Sequence, residues 1–209
     1  MARPSLKRLS GIDRSGGPPP ETQKGEPLRP WTIPNAISYV RIALLPVFLV
    51  VALGSGDGRG LAVAGLFWLI AWGDQLDGLA ARLTGQYSRL GALLDPLTDR
   101  ALVISGVVVC WHFELLPRWA LAVLVARELA MLVLAQVGLR VGMDLKINMV
   151  GRWAVWPVMF AIFLAMLVDT WVATASLYVG LALTLWATAI YFADGYRFMQ
   201  ARNRPSSST

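Results

Sequence analysis

The chain has 209 residues, 56% of them hydrophobic and only 15% charged, with Lys and Arg exceeding Asp and Glu by 19 to 13. That is too apolar for an ordinary soluble domain of this length and too short for multi-domain machinery, which leaves a single membrane-embedded domain. One cysteine, Cys110, and one histidine, His112, exclude a disulfide framework and any multi-cysteine or histidine-pair metal site, so carboxylates, basic side chains and backbone must carry the chemistry.

Residues 1–30 hold six basic side chains, three acidic ones and the run Gly16-Gly17-Pro18-Pro19-Pro20. With so little to bury they are expected to form a disordered basic arm, and without an apolar stretch they do not read as a cleaved signal peptide. Residues 31–203 read as one all-α, polytopic membrane domain with six transmembrane helices, followed by a disordered tail at 204–209. The apolar pattern predicts helices over about 35–53, ended by Gly54-Ser55-Gly56-Asp57-Gly58, and 60–83, ended by Gly85. It predicts further helices over about 89–112, 118–139, 149–168 and 173–202, with a polar link at 140–146. Pro46 and Pro157 are expected to kink their helices. Cys110 and the methionines read as packing residues, and His112, at a helix end beside Trp111, as an interface residue.

An even number of spans puts both termini on one side. Sorted by loop on that basis, fourteen basic residues share the side of the termini and two, Arg59 and Arg118, fall opposite. By the positive-inside rule both termini are cytoplasmic. The basic arm has no folded basic face beside it, which argues against nucleic acid as a partner and leaves membrane lipids.

Charges inside the predicted spans are the informative residues. The second and third helices hold Asp74, Asp77, Asp95 and Asp99, and the fourth holds Arg127 and Glu128. Four mid-helix aspartates cost on the order of 10 kcal/mol on insertion scales unless something compensates. Asp74 and Asp77 are i,i+3 and Asp95 and Asp99 are i,i+4, so each helix presents two carboxylates on one stripe. Counted away from the turn at 85–88, the pairs lie at matching depth, Asp77 opposite Asp95 and Asp74 opposite Asp99. With little positive charge expected nearby, the four either protonate in part or enclose divalent cations. An all-oxygen cage selects a hard ion, Mg²⁺ or Mn²⁺, and two such ions suit displacement at phosphorus. Gly78, Ala81 and Gly91 remove side-chain bulk on the same helices, and Arg82 is suited to phosphate oxygens.

Written out, the segment is Asp74-x2-Asp77-Gly78-x2-Ala81-Arg82-x8-Gly91-x3-Asp95-x3-Asp99. It resembles the signature of the CDP-alcohol phosphatidyltransferase family at every fixed position. The resemblance implies a six-helix enzyme of phospholipid biosynthesis, in a bacterial cell membrane, that transfers a phosphatidyl group from CDP-diacylglycerol to an alcohol acceptor and releases CMP. It further implies that Asp74, Asp77, Asp95 and Asp99 bind two metal ions, with Asp99 also the catalytic base. Asp77, Gly78, Ala81, Arg82 and Gly91 would bind CDP-diacylglycerol, and the family tends toward homodimers. Depth alone does not choose Asp99 over Asp74 as the base.

The segment Trp31-Thr32-Ile33-Pro34-Asn35, followed by Arg41 and Pro46, resembles the phosphatidylglycerophosphate synthase and cardiolipin synthase branches. Arg127-Glu128 is similar to an Arg-Glu pair of glycerophosphate-using members, and Gly151-Arg152 to a Gly-Lys step, after which Ala154 and Val155 depart from their pattern. Arg127, Lys146 and Arg152 are the candidate acceptor-binding residues, able to meet a phosphate dianion. The reading leans to glycerol 3-phosphate, giving phosphatidylglycerophosphate. Phosphatidylglycerol, giving cardiolipin, and inositol phosphate are the alternatives. A cation- or proton-coupled transporter is the reading of another class, disfavoured because no internal repeat is visible. An intramembrane prenyltransferase would want acidic motifs on two hairpins, and only one is acidic here.

Overall fold

The computed structural model describes residues 29–141 and 149–202. The expected disordered arm, apart from its last two residues, and the expected tail lie outside the described residues. Among those described there are six helices and no strand: α1 Ile33–Leu53, α2 Leu61–Thr84, α3 Arg89–His112, α4 Arg118–Val141, α5 Met149–Leu167 and α6 Trp171–Arg202.

Helix α1 starts two residues earlier than the apolar pattern predicts, because Thr32 caps it. The Thr32 hydroxyl accepts from the Asn35 backbone N–H at 3.3 Å, and Pro34 sits in the first turn, where a missing N–H leaves nothing unpaired. The loop after α1 is held by Ser55, whose hydroxyl donates to the Ala52 carbonyl at 2.7 Å and accepts from the Gly58 N–H at 2.9 Å. Helix α2 ends on Gly85 in the left-handed conformation that stops a helix at low cost. Prolines lie inside α1, α3 and α5 at Pro46, Pro96 and Pro157. Pro96 follows Asp95 directly, so the backbone N–H missing from α3 is at the level of the acidic motif.

The chain divides within α3 into two compact units, 1–106 and 107–209. In the first, α1 packs along α2, with Phe48, Phe67, Ile70 and Leu102 fully buried and the Phe48 and Phe67 rings 5.7 Å apart. In the second, α6 packs along α5 and against α4, and Leu121, Leu124, Ile162, Met166 and Leu177 are buried.

Several polar residues are buried beside the apolar core, and large apolar side chains face outward. Asn35, Ser38, Arg41, Asp77, Thr98 and Thr184 are buried, while Val50, Leu61, Leu83, Leu97, Val133 and Trp186 are exposed. Such an outer surface belongs in lipid rather than water. Among the described residues two helices are long and apolar enough to cross a membrane, Ile33–Leu53 and Trp171–Ala193, and Ala154–Leu167 is a shorter apolar helix. The polar and charged residues of the acidic motif lower the apolarity of α2 and α3 themselves.

Candidate active site

The site in the first unit is organised by α1. Asn35, Ser38 and Arg41 recur every three residues along a helix that is otherwise largely apolar, and all three are buried. Arg41 is 2% exposed. Its Nε donates to the Ile70 carbonyl at 2.9 Å, Nη1 donates to Asp77 Oδ2 at 3.1 Å, and Nη2 donates to Asp99 Oδ1 at 2.8 Å. Asp74 Oδ1 stands 3.7 Å from Nη1. Three residues earlier, the Ser38 hydroxyl has Asp95 Oδ1 at 3.3 Å, Asp77 Oδ2 at 3.5 Å and the Pro34 carbonyl at 3.3 Å as acceptors for its one hydrogen.

Asp77 and Asp95 therefore share Ser38, and Asp77 and Asp99 share Arg41. This corrects the expectation of little positive charge near the acids. A guanidinium from a third helix is bonded to carboxylates of both acidic helices, with a geometry that only the planar five-donor fork of arginine supplies. The side chains also differ in exposure: Asp77 is 5% exposed, Asp74 34% and Asp99 50%. Asp77 is thus an interior anchor and Asp99 the member that reaches outward, a distinction that depth in the sequence does not make.

The positions expected to admit a nucleotide separate into two groups. At Gly78 an added Cβ would meet only the terminal nitrogens of Arg82, at 3.8 Å, so the room is real. Arg82 lies over that gap with its Nε buried and without a hydrogen-bond partner, an orphaned donor suited to an anionic oxygen. Ala81 is half-buried beside it in sequence. At Gly91, by contrast, a Cβ would fall 2.8 Å from Asn35 Oδ1 and 3.1 Å from Ser88 Oγ. The Ser88 hydroxyl donates to Asn35 Oδ1 at 2.8 Å and accepts from the Gly91 N–H at 2.9 Å, while Asn35 Nδ2 donates to the carbonyls of Arg29 and Pro30 at 3.0 and 3.2 Å. Gly91 thus makes room for Asn35, which ties the start of α1 to the turn before α3.

The four carboxylates offer the oxygen donors a hard dication prefers. Among the described residues, however, no three acidic, His or Cys side chains are gathered closely enough to hold an ion as they stand. Arg41 already draws on three of the four acids.

Arg127, a candidate for the acceptor, lies in the second unit with its side chain 9% exposed. It is ion-paired to Glu128, and its Nε donates to the Thr188 hydroxyl at 3.0 Å; that hydroxyl donates to the Thr184 carbonyl at 2.8 Å. Neighbours on a helix point about 100° apart, and the long arginine stem closes that gap. Lys146 and the side chain of Arg152 lie outside the described residues. Ser38 and the role of Arg41 were missed by reasoning from the sequence. The signal was available, since polar residues repeating every three positions on a spanning helix need partners.

Residues 31–186 match the family model described as CDP-alcohol phosphatidyltransferase. The chain belongs to this family. It is similar to a cardiolipin synthase (CMP-forming) of Streptomyces coelicolor, 35% identical over 195 residues, covering 88% of this chain and 89% of that protein. It is also similar to a CDP-diacylglycerol–glycerol-3-phosphate 3-phosphatidyltransferase of Bacillus subtilis, 33% identical over 144 residues, covering 63% of this chain and 75% of that protein. A cardiolipin synthase (CMP-forming) of Rattus norvegicus is 35% identical over 104 residues, 49% of this chain and 33% of that protein. The phosphatidyltransferase therefore carries its signature aspartates around a buried arginine.

Proposed function

We propose that this enzyme transfers the phosphatidyl group of CDP-diacylglycerol to the free hydroxyl of phosphatidylglycerol, forming cardiolipin and releasing CMP. The convergence of Asp74, Asp77, Asp95 and Asp99 on Ser38 and Arg41 carries the reaction type. The four aspartates would hold Mg²⁺ or Mn²⁺, two ions by family resemblance, and such ions supply charge neutralisation at the donor phosphates and orientation of the leaving CMP. Arg82 binds a phosphate oxygen of the donor through its orphaned Nε, over the gap at Gly78 and beside Ala81. Asp99, the most exposed of the three carboxylates that face Arg41, takes the proton of the acceptor hydroxyl. The six helices span a bacterial cell membrane with both termini cytoplasmic.

The acceptor rests on a separate observation. A glycerol 3-phosphate dianion needs uncommitted cations, and Arg127 is already engaged by Glu128 and Thr188. Buried Ala154 with exposed Val155 and Trp156 gives α5 an apolar start, better suited to acyl chains. The Streptomyces coelicolor relative, whose match spans most of both chains, is named for CMP-forming cardiolipin synthesis and supports the same product. Glycerol 3-phosphate is the second reading, favoured by the Bacillus subtilis relative and by the cations of Lys146 and Arg152.

The test is CMP release by detergent-purified protein supplied with CDP-diacylglycerol and Mg²⁺, with phosphatidylglycerol, glycerol 3-phosphate, inositol phosphate or buffer, with and without chelator. Chelator-sensitive release that requires phosphatidylglycerol is the expected result. Release only with glycerol 3-phosphate selects the second reading, and failure to bind CDP-diacylglycerol at all overturns the reaction.

A further inference from the structure

Arg41 has no room to be anything but a fixture. Its stem lies directly over Gly73 on α2: a Cβ there would fall 2.5 Å from Cδ, 2.7 Å from Cγ and 2.9 Å from Nε. Real Cβ atoms do not approach so closely, so the seat exists only because residue 73 is glycine. The Ile70 carbonyl, one turn before Gly73, accepts the Nε hydrogen and fixes the plane of the guanidinium. The result is a buried cation whose other two nitrogens are aimed at Asp77 and Asp99, with Asp74 at the edge of reach.

We propose that Arg41, seated against Gly73, is the resident counter-cation of the aspartate cluster: it holds the cluster together without divalent ions and weakens their binding by competing for the same carboxylates. This deepens the proposed function and rests on its reading of the aspartates as metal ligands. The physical basis is charge. Four carboxylates facing one another repel, and one guanidinium offsets only part of that, so the ion-free cluster is tolerable while still attracting more positive charge. Bringing a dication to carboxylates already bonded to a guanidinium sets like charges a few ångströms apart in a poorly screened setting. In this scheme that repulsion exceeds the entropy gained from having Asp77 and Asp99 held in place by Arg41 in advance. Arg41 is a positioning residue in this scheme, acting on Asp77 and Asp99 rather than on substrate.

The test uses the full chain in detergent, with Mn²⁺ as probe and free Mn²⁺ followed by electron paramagnetic resonance, alongside thermal unfolding in chelator and in saturating Mn²⁺. Arg41→Gln removes the charge, and its Mn²⁺ midpoint is expected to fall by about tenfold or more. Its unfolding temperature should drop further in chelator than in Mn²⁺, whereas a merely structural role would lower both equally. Arg41→Lys retains the charge and should stay within about threefold of the wild-type midpoint. Gly73→Ala leaves every charge in place but unseats Arg41, and its midpoint should move in the same direction as that of Arg41→Gln. If Arg41→Gln does not fold, Arg41→Lys and Gly73→Ala decide the matter. An unchanged or weaker midpoint in Arg41→Gln, a shift in Arg41→Lys as large as in Arg41→Gln, or no shift in Gly73→Ala overturns the proposal. A wild-type chain that neither binds Mn²⁺ nor releases CMP removes the metal reading itself; one that does both while the variants behave alike removes only the role of Arg41.

Discussion

Two arginines, one in each unit, are neutralised in opposite ways: Arg41 is buried and Arg127 partly buried. Arg41 in the first unit faces three aspartates contributed by two other helices, and a fourth, Asp95, shares Ser38 with Asp77. Arg127 in the second unit faces one acid, its own neighbour Glu128, and completes its bonding on Thr188. The first arrangement leaves surplus negative charge that an incoming cation can use. The second is balanced one to one, the form a buried charge takes when its task is to be tolerated in an apolar setting.

The sharpest way to break that contrast is at Asp99. Asp99→Asn is expected to lower CMP release by about 10²- to 10⁴-fold, the range for removing a general base, while CDP-diacylglycerol binding stays close to wild type. Turnover at the wild-type rate would take the base role away from Asp99.

Next comes the pair in the second unit. Arg127→Met strands Glu128 in a largely buried position and should cost about 3–5 kcal/mol of stability, read as unfolding in detergent. Adding Glu128→Leu should restore most of it, because the pair is then removed as a unit. If the double variant is stable but its KM for the acceptor that supports CMP release rises tenfold or more, Arg127 serves the acceptor as well as the packing.

The smallest effect refines the same pair. Thr188→Val removes one acceptor from Arg127 and should cost about 1 kcal/mol. In the Arg127→Met background that cost should shrink, and full additivity of the two losses would mean that the 3.0 Å bond contributes little.

Much of this molecule is local, and local features are legible in a sequence. The helix pattern follows from apolar runs and their Gly and Pro stops, and the spacing of Asp74, Asp77, Asp95 and Asp99 follows from a 3.6-residue period acting within single helices. The family signature lies in the same 26 residues. The start of α1 lies two residues before the approximate boundary of the apolar pattern, because Thr32 caps the helix and Pro34 sits in its first turn. At Gly91 the missing side chain leaves room that Asn35 and Ser88 border, a neighbourhood that the sequence does not disclose.

By itself, then, the sequence determined the helices, the acidic stripe and the class of reaction, since each depends on neighbours within a turn or two. The tertiary structure decided which cation meets those acids, that Gly73 makes its seat, that Asp99 rather than Asp77 reaches outward, and that Arg127 is already paired. These depend on which faces of separate helices come together. A buried charge must find a partner within a few ångströms, and the separation along the chain, 58 residues from Arg41 to Asp99, carries no trace of that distance.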